Sequence, residues 1–303
     1  MHWLGIDIGG TSAKASLVNA HGTEVCCARG KRYDRPDRVG LLNAVGEVVR
    51  KVIANGVGGG RGKFEGVGVC MPGAVDPHTK RVIASANVPG LIGLCAMDIV
   101  QGALEGDVQG LRVEQVTDAY ASGGDYYKSK GLTGRLLAIS LGTGVGCAVI
   151  DDGCVQLRLH GRSSGHIGQM DVSLRDDAPI GPDGGRGGLE AYIGLPALLK
   201  RYGSEGDPRE IFTKMKKGDE PLRALARAIR IGHAIYRPMH IALLGGVGVG
   251  LGVAGLLAYL REEVACGLTN VAVSGWKMEC AESDMHAARG AALCAAGLIP
   301  TGN

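Results

Sequence analysis

Aromatic side chains are scarce in this 303-residue chain: 2 Trp, 2 Phe and 8 Tyr, 4% in all. So thin a supply of stacking faces argues against a single-stranded nucleic-acid binder. Charge of one sign is lacking too, since 33 Lys and Arg against 30 Asp and Glu leave a formal net charge of +3. That balance argues against electrostatic capture of a polyanion. Nine cysteines are present, with no CxxC pair among them. No secretory leader is recognisable, so a reduced cytoplasmic setting is expected. Hydrophobic residues at 45% and charged residues at 21% exclude a disordered chain. The length predicts about two domains.

One uncharged run, Ile241 to Leu260, is long enough for a membrane span. It carries six glycines, at 245, 246, 248, 250, 252 and 255, and each costs about 1 kcal/mol in a helix interior. The run reads better as a strand His240–Leu244, a turn Gly245–Gly250 and a helix Leu251–Val264. No membrane contact is expected.

Glycine itself is abundant at 52 residues, more than twice the usual share of about 7%. There is no Gly-X-Y period, so these glycines serve turns and close backbone approaches. Two of the turns belong to one pattern that occurs twice. Leu4-Gly5-Ile6-Asp7-Ile8-Gly9-Gly10-Thr11 leads into Ser12–Val18 and then Asn19-Ala20-His21-Gly22. Leu137-Ala138-Ile139-Ser140-Leu141-Gly142-Thr143-Gly144 leads into Val145–Ile150 and then Asp151-Asp152-Gly153. Each copy is a buried strand, a Gly/Thr turn, a second strand and an Asx-Gly turn. Glycine lets backbone N–H groups approach phosphate oxygens, and the Thr hydroxyl adds a donor. A single Gly-Thr hairpin is most often an ordinary tight turn; two copies, each opening a lobe, point to a phosphate-binding cleft. Neither copy fits the P-loop or opens a helix as a dinucleotide fingerprint does.

The remainder alternates strands and helices. Helices are expected over Leu41–Asn55, Asp118–Lys128, Leu189–Tyr202, Pro221–Ala234 and His286–Ala296, with strands at Phe64–Cys70 and Leu111–Val116. Gly56–Gly62 reads as a loop. Such alternation predicts an α/β fold. Arg223, Arg227 and Arg230 read as the solvated face of an amphipathic helix rather than a polyanion patch. Cys26 and Cys27 lie at a strand position, so one buried thiol is the default. His78 and His160 have no partner at ligand spacing, and Asp151 and Asp152 read as turn formers.

Six segments, in order, resemble the actin-like sugar kinases, and specifically the ROK family (repressors, open reading frames and kinases). Asp7-Ile8-Gly9-Gly10-Thr11 is similar to the family's first phosphate motif. Gly66–Asp76 with Ala86-Asn87-Val88-Pro89-Gly90 resembles its substrate-side loops, and Thr117-Asp118-Ala119-Tyr120-Ala121 the segment carrying the catalytic aspartate. Leu141–Gly146 resembles the second phosphate motif, Leu189-Glu190-Ala191-Tyr192 the sugar-binding segment, and Leu244-Gly245-Gly246-Val247 the adenosine motif. The resemblance implies a two-lobed actin-like (ribonuclease H-like) ATPase fold of class α/β, with two mixed sheets flanked by helices around a central cleft. Residues 1–116 would form the N-terminal lobe, joined by the C-terminal helix of about 286–303, and residues 117–285 the larger C-terminal lobe.

The same resemblance implies ATP-dependent phosphorylation of a sugar hydroxyl, usually the 6-hydroxyl of a hexose. Asp118 would be the base, kept ionised by its place at a helix N-terminus. Asp7 would hold Mg²⁺ through water, which suits a cation that dehydrates reluctantly. Gly9, Gly10, Thr11, Gly142, Thr143 and Gly144 would clasp phosphates, Lys14 would approach one, and Gly245 and Gly246 would admit the adenosine. Pro72, Gly73, Asn87, Thr117, His166, Gln169 and Glu190 would line the sugar pocket beside Asp118. A homodimer is implied as well. A regulator of the same family would carry a helix-turn-helix ahead of the first hairpin, which starts here at the third residue, so neither that role nor a nucleic-acid partner is expected.

The departures from the family pattern cluster at the sugar. Thr117 stands where Asn is usual, and Gly165-His166-Ile167-Gly168-Gln169 where Gly-Glu-Ile-Gly-His is usual. The cysteines of the family's zinc site are missing from residues 179–188, so no zinc is expected. His166 replaces an acceptor with a group that donates, which favours a different hydroxyl pattern or an anionic substituent. The alternative is a non-catalytic sugar or nucleotide sensor; Asp7, Asp118, Glu190 and both turns argue for the kinase.

Overall fold

The chain is described here from a computed structural model, which covers residues 1–300 except 57–63, 105–107, 109, 153, 156–157, 160–161, 164–165, 204–206 and 273. His160, Gly153, Gly165 and nearly all of the expected loop 56–62 therefore lie outside the described residues.

The first hairpin pairs β1 (His2–Ile8) with β2 (Ala13–Asn19), which turns through Asn19 and Gly22 into β3 (Glu24–Arg29). Helix α1 (Arg38–Gly56) buries Leu41, Val45, Val48, Val49 and Val52 at helical spacing. It returns the chain to β4 (Phe64–Cys70), parallel to β1. A small ribbon of β5 (Ala74–Val75) and β6 (Val82–Ala84) follows, then α2 (Ala96–Leu104) and β7 (Arg112–Val116). The sheet order is β3-β2-β1-β4-β7.

After α3 (Asp118–Ser129) the second hairpin begins, with β8 (Arg135–Leu141), β9 (Val145–Asp151) and β10 (Cys154–Val155). A ribbon of β11 (Arg158–Leu159) and β12 (Arg162–Ser163) and the helices α4 (Glu190–Ile193), α5 (Leu195–Tyr202), α6 (Glu210–Lys214) and α7 (Glu220–Tyr236) precede β13 (His240–Leu244). Helices α8 (Gly245–Val253) and α9 (Leu257–Cys266), β14 (Lys277–Cys280) and α10 (His286–Ala295) complete the order. This sheet runs β10-β9-β8-β13-β14. In both sheets a three-stranded antiparallel meander is extended by two parallel strands. The duplicated hairpin thus belongs to a duplicated sheet.

Each sheet has its own apolar core, one built on Leu4, Ile6 and Val67 and the other on Leu137, Ile139 and Leu243. The alanine-rich α10 lies between the first sheet and α3. A Cβ at Gly68 would overlap the backbone carbonyl of Ala291, and one at Gly290 that of Ala121. Backbone contact this close leaves no room for any side chain there.

Three expected elements differ, one of them the helix expected over Leu251–Val264, which breaks between Val253 at the end of α8 and Leu257 at the start of α9. Gly245–Gly250 forms the start of α8 rather than a turn, because Gly248 packs on the Leu243 backbone and Gly250 on the Phe212 ring. That packing overrides the poor helix propensity of glycine. The helix expected over 189–202 divides at Gly194, where Pro196 sits in the first turn of α5 and lacks the N–H that would continue α4. Among the described residues no helix is long and apolar enough to cross a membrane.

Candidate active site

The two Gly/Thr turns touch. A Cβ built on Gly10 would lie 2.7 Å from the Cβ, Cγ2 and Oγ1 atoms of Thr143, so the first turn rests on the second. The first turn is closed by Gly9 N–H donating to the Ser12 carbonyl at 3.1 Å. Tyr33 pins it from outside, its hydroxyl donating to the Gly9 carbonyl at 2.6 Å and its N–H to the Thr11 carbonyl at 2.9 Å. The second turn is closed by Gly142 N–H on the Gly144 carbonyl at 2.9 Å, and Leu195 N–H donates to the Gly142 carbonyl at 2.9 Å.

Asp7 and Lys14 are direct partners across the first hairpin. Lys14 Nζ lies 3.3 Å from Asp7 Oδ2 and donates to the Asp284 carbonyl oxygen at 3.0 Å. Arg29 pairs with the Asp284 carboxylate. Lys14 is therefore a largely buried cation inside the cleft, not an exposed strand lysine.

Asp118 opens α3 directly after β7, which delivers it to the cleft, and Gly146 of the second hairpin packs against it. Burial and the neighbouring Asp7 charge raise its carboxyl above the ordinary aspartate range. The Ala119 N–H at the helix start, His166 and Lys14 act the other way and do not prevail. The helix terminus alone predicts the opposite sign, so desolvation wins here. Thr117, the N-cap, makes no side-chain capping bond, which leaves its hydroxyl unspent.

Glu190 begins α4 and accepts Val145 N–H on Oε2 at 2.8 Å, tying the sugar-side segment to the second turn. Burial raises its carboxyl as well, against the lowering effects of that N–H and of His166. His166 thus acts on Asp118 and Glu190 together. Gly245, at φ 78°, and Gly246 start α8 and direct its N-terminus at the cleft.

All of the candidate ATP, sugar and metal residues line one cleft of about 2340 Å³, from Asp7, Gly9, Gly10, Thr11 and Lys14 through Pro72, Gly73, Asn87, Thr117 and Asp118. Gly142, Thr143, Gly144, His166, Gln169, Glu190, Gly245 and Gly246 line it too. Sequence reasoning missed Tyr33, Asp284 and His286. None stands in a local pattern, and only the Asp284 position just ahead of the final helix offered a signal.

Among the described residues no group of three or more His, Cys, Asp or Glu is placed to hold a metal in an all-protein cage. The buried Asp7 carboxylate, 4% exposed with Asp118 nearby, supplies the oxygen donors that suit a mostly hydrated Mg²⁺.

A model of the ROK family matches residues 3–297. The N-acetylmannosamine kinase of Escherichia coli (strain SE11) is 26% identical over 279 residues, 88% of this chain and 90% of that protein. A ROK family glucokinase from Streptomyces griseus, solved with glucose and AMPPNP, superposes with a TM-score of 0.74 at 22% identity, over 96% of this chain and 98% of its own. A ROK family transcriptional regulator, a homolog of the E. coli MLC protein, gives 0.71 at 16% identity, over 99% of this chain and 79% of its own. The last two likenesses establish the two-lobed actin-like fold.

Proposed function

The chain belongs to the ROK family and is a carbohydrate kinase, and from that premise we propose that Asp118 is the base for phosphoryl transfer from ATP to a hexose hydroxyl, the 6-hydroxyl first among them. The observation that carries this reading is the contact of the Gly10 and Thr143 turns in the cleft that also holds Asp118. Phosphoryl transfer asks for an in-line nucleophile and neutralised phosphates, with little covalent work by the protein.

In this reading the turn N–H groups and the Thr11 and Thr143 hydroxyls hold the phosphate chain, and α8 receives the adenosine at Gly245 and Gly246. Lys14 neutralises phosphate charge. Mg²⁺, held by Asp7 through water, would supply further charge neutralisation at the phosphates. Asn87, Glu190, His166, Gln169 and the Thr117 hydroxyl orient the sugar. Asp118 accepts the proton of the attacking hydroxyl as the new O–P bond forms and the bond to the ADP oxygen breaks. Its raised carboxyl is a better proton acceptor than an ordinary aspartate. Residues 1–116 and 117–285 act as lobes that close on the substrates, which excludes water from the phosphate.

The replaced residues at the sugar, His166 and Gln169, favour a second reading, a sugar sensor without turnover. ADP release measured over hexoses, N-acylated hexosamines and polyols, with sugar-free ATPase as control, separates the two. The kinase reading predicts ADP formation with at least one sugar well above the control. Sugar binding without ADP from any of them would leave the sensor.

A further inference from the structure

The nucleotide side of the cleft holds a charged cluster that the reading above leaves unused. Asp125, on α3, is 1% exposed. Its Oδ2 lies 2.5 Å from His286 Nδ1, and its Oδ1 accepts Arg289 Nε at 2.6 Å. An ionised carboxylate only accepts, so the His286 hydrogen sits on Nδ1 and points at Asp125. Arg289 Nη2, 3.5 Å from the same nitrogen, finds no lone pair there and adds charge to the cluster rather than a hydrogen bond. Tyr126 packs edge-on against the imidazole, ring centres 5.6 Å apart.

Nδ1 is therefore spent and the ring is fixed on two sides. His286 is only 8% exposed, yet it lines the cleft. Its Nε2 has no hydrogen-bond partner among the described residues. That nitrogen keeps access to the cleft, so it is free to meet an incoming polar group.

The chain on either side of the ring shows where it stands. The Asp284 carbonyl accepts Lys14 Nζ, and Lys14 in turn lies on Asp7. The Ala287 carbonyl faces Cys70 Sγ at 3.5 Å, and Cys70 feels the charges of both Asp7 and Asp118. The segment 284–287 thus borders Asp7 and Lys14 on one side and, through the Asp284 carboxylate, Gly246 at the start of α8 on the other.

We infer that His286 is a ligand for the phosphate chain of the bound nucleotide, presenting Nε2 to a phosphate oxygen, with Asp125 and Arg289 as positioning residues. In the complex Nδ1 faces Asp125 and Nε2 faces the phosphate oxygen. Asp125 stands seven residues after Asp118 on α3, on the same face, so the cluster also ties the helix of the base to the helix of the phosphate contact. The inference rests on the nucleotide reading proposed above.

The test uses the two amides that imitate one ring nitrogen each. H286N reaches Asp125 as Nδ1 does and has nothing at the Nε2 position; H286Q reaches the Nε2 position. Calorimetric affinity for ADP with Mg²⁺, and for adenosine by competition, is measured on the full chain with thermal midpoints alongside. The expected result is an ADP dissociation constant at least tenfold weaker in H286N and within threefold of the parent in H286Q, with adenosine affinity unchanged in both. H286N within twofold of the parent, or equal losses for ADP and adenosine, overturns the inference while a nucleotide-binding parent keeps the kinase reading. An H286N protein that no longer folds marks the ring as structural and overturns it too. A parent that binds no adenine nucleotide removes the kinase reading itself.

Discussion

Gly10 and Thr143 come from hairpins more than a hundred residues apart in the chain, and they meet so closely that no side chain fits at position 10. That contact brings the two turns to one place in the cleft. Gly10→Ala pushes the Thr143 side chain into the phosphate space. The ADP dissociation constant is expected to rise at least about tenfold, equivalent to about 1.4 kcal/mol. Thermal stability should change little, since the displaced group faces the cleft. Calorimetric titration beside a melting curve checks both.

The α10 interface gives a stability prediction. Gly68→Ala sets a methyl group against the Ala291 carbonyl, which belongs to the main chain and has no rotamer to change. Overpacking against backbone typically costs about 1–3 kcal/mol and here should reach the top of that range or exceed it. The thermal midpoint should fall by about 6 °C or more, at about 2–4 °C per kcal/mol in a chain of this size or somewhat smaller. A midpoint within 2 °C of the parent would contradict the packing.

Both hairpins were legible in the sequence because buried strands, Gly/Thr turns and Asx-Gly turns are local signals. The register that sets Lys14 opposite Asp7 follows from the tight turn between them. The glycine-rich α8 was not legible, since local propensity favours a turn and the deciding contacts come from Phe212 and from the backbone at Leu243. Asp125 and His286 are 161 residues apart and share no periodicity, so only the fold joins them. The ionisation of Asp118 shows the same limit. Its helix position is readable, but the burial and the Asp7 charge that outweigh it are products of packing.

The pH dependence has a definite sign. Asp118 must be ionised to accept a proton, so kcat/KM should fall in acid through a limb lying above the ordinary aspartate value near 3.9. His166 lowers the carboxyls of Asp118 and Glu190, so H166A should move that limb to higher pH. A pH–rate profile of the two proteins at saturating ATP checks this. A limb that stays in place or moves to lower pH in H166A would be inconsistent with His166 acting on the base.

Stability carries the same shift with the sign reversed. A carboxyl whose value is raised by folding binds its proton more tightly in the folded chain. Its contribution is therefore favourable in acid and is lost as pH rises through the folded value. Above that value the charge on Asp118 works against the fold. D118N should melt at or above the parent temperature at pH 7, with the difference vanishing in acid. Melting curves at both pH values test it.

The most direct test of Asp118 as the base is the turnover of D118N on the best sugar of the panel, measured with ADP affinity on the same preparation. The account predicts a kcat lower by at least about 10²–10⁴-fold, the usual scale of positioned base catalysis, with ADP affinity within threefold of the parent. A D118N protein that turns over like the parent would contradict it.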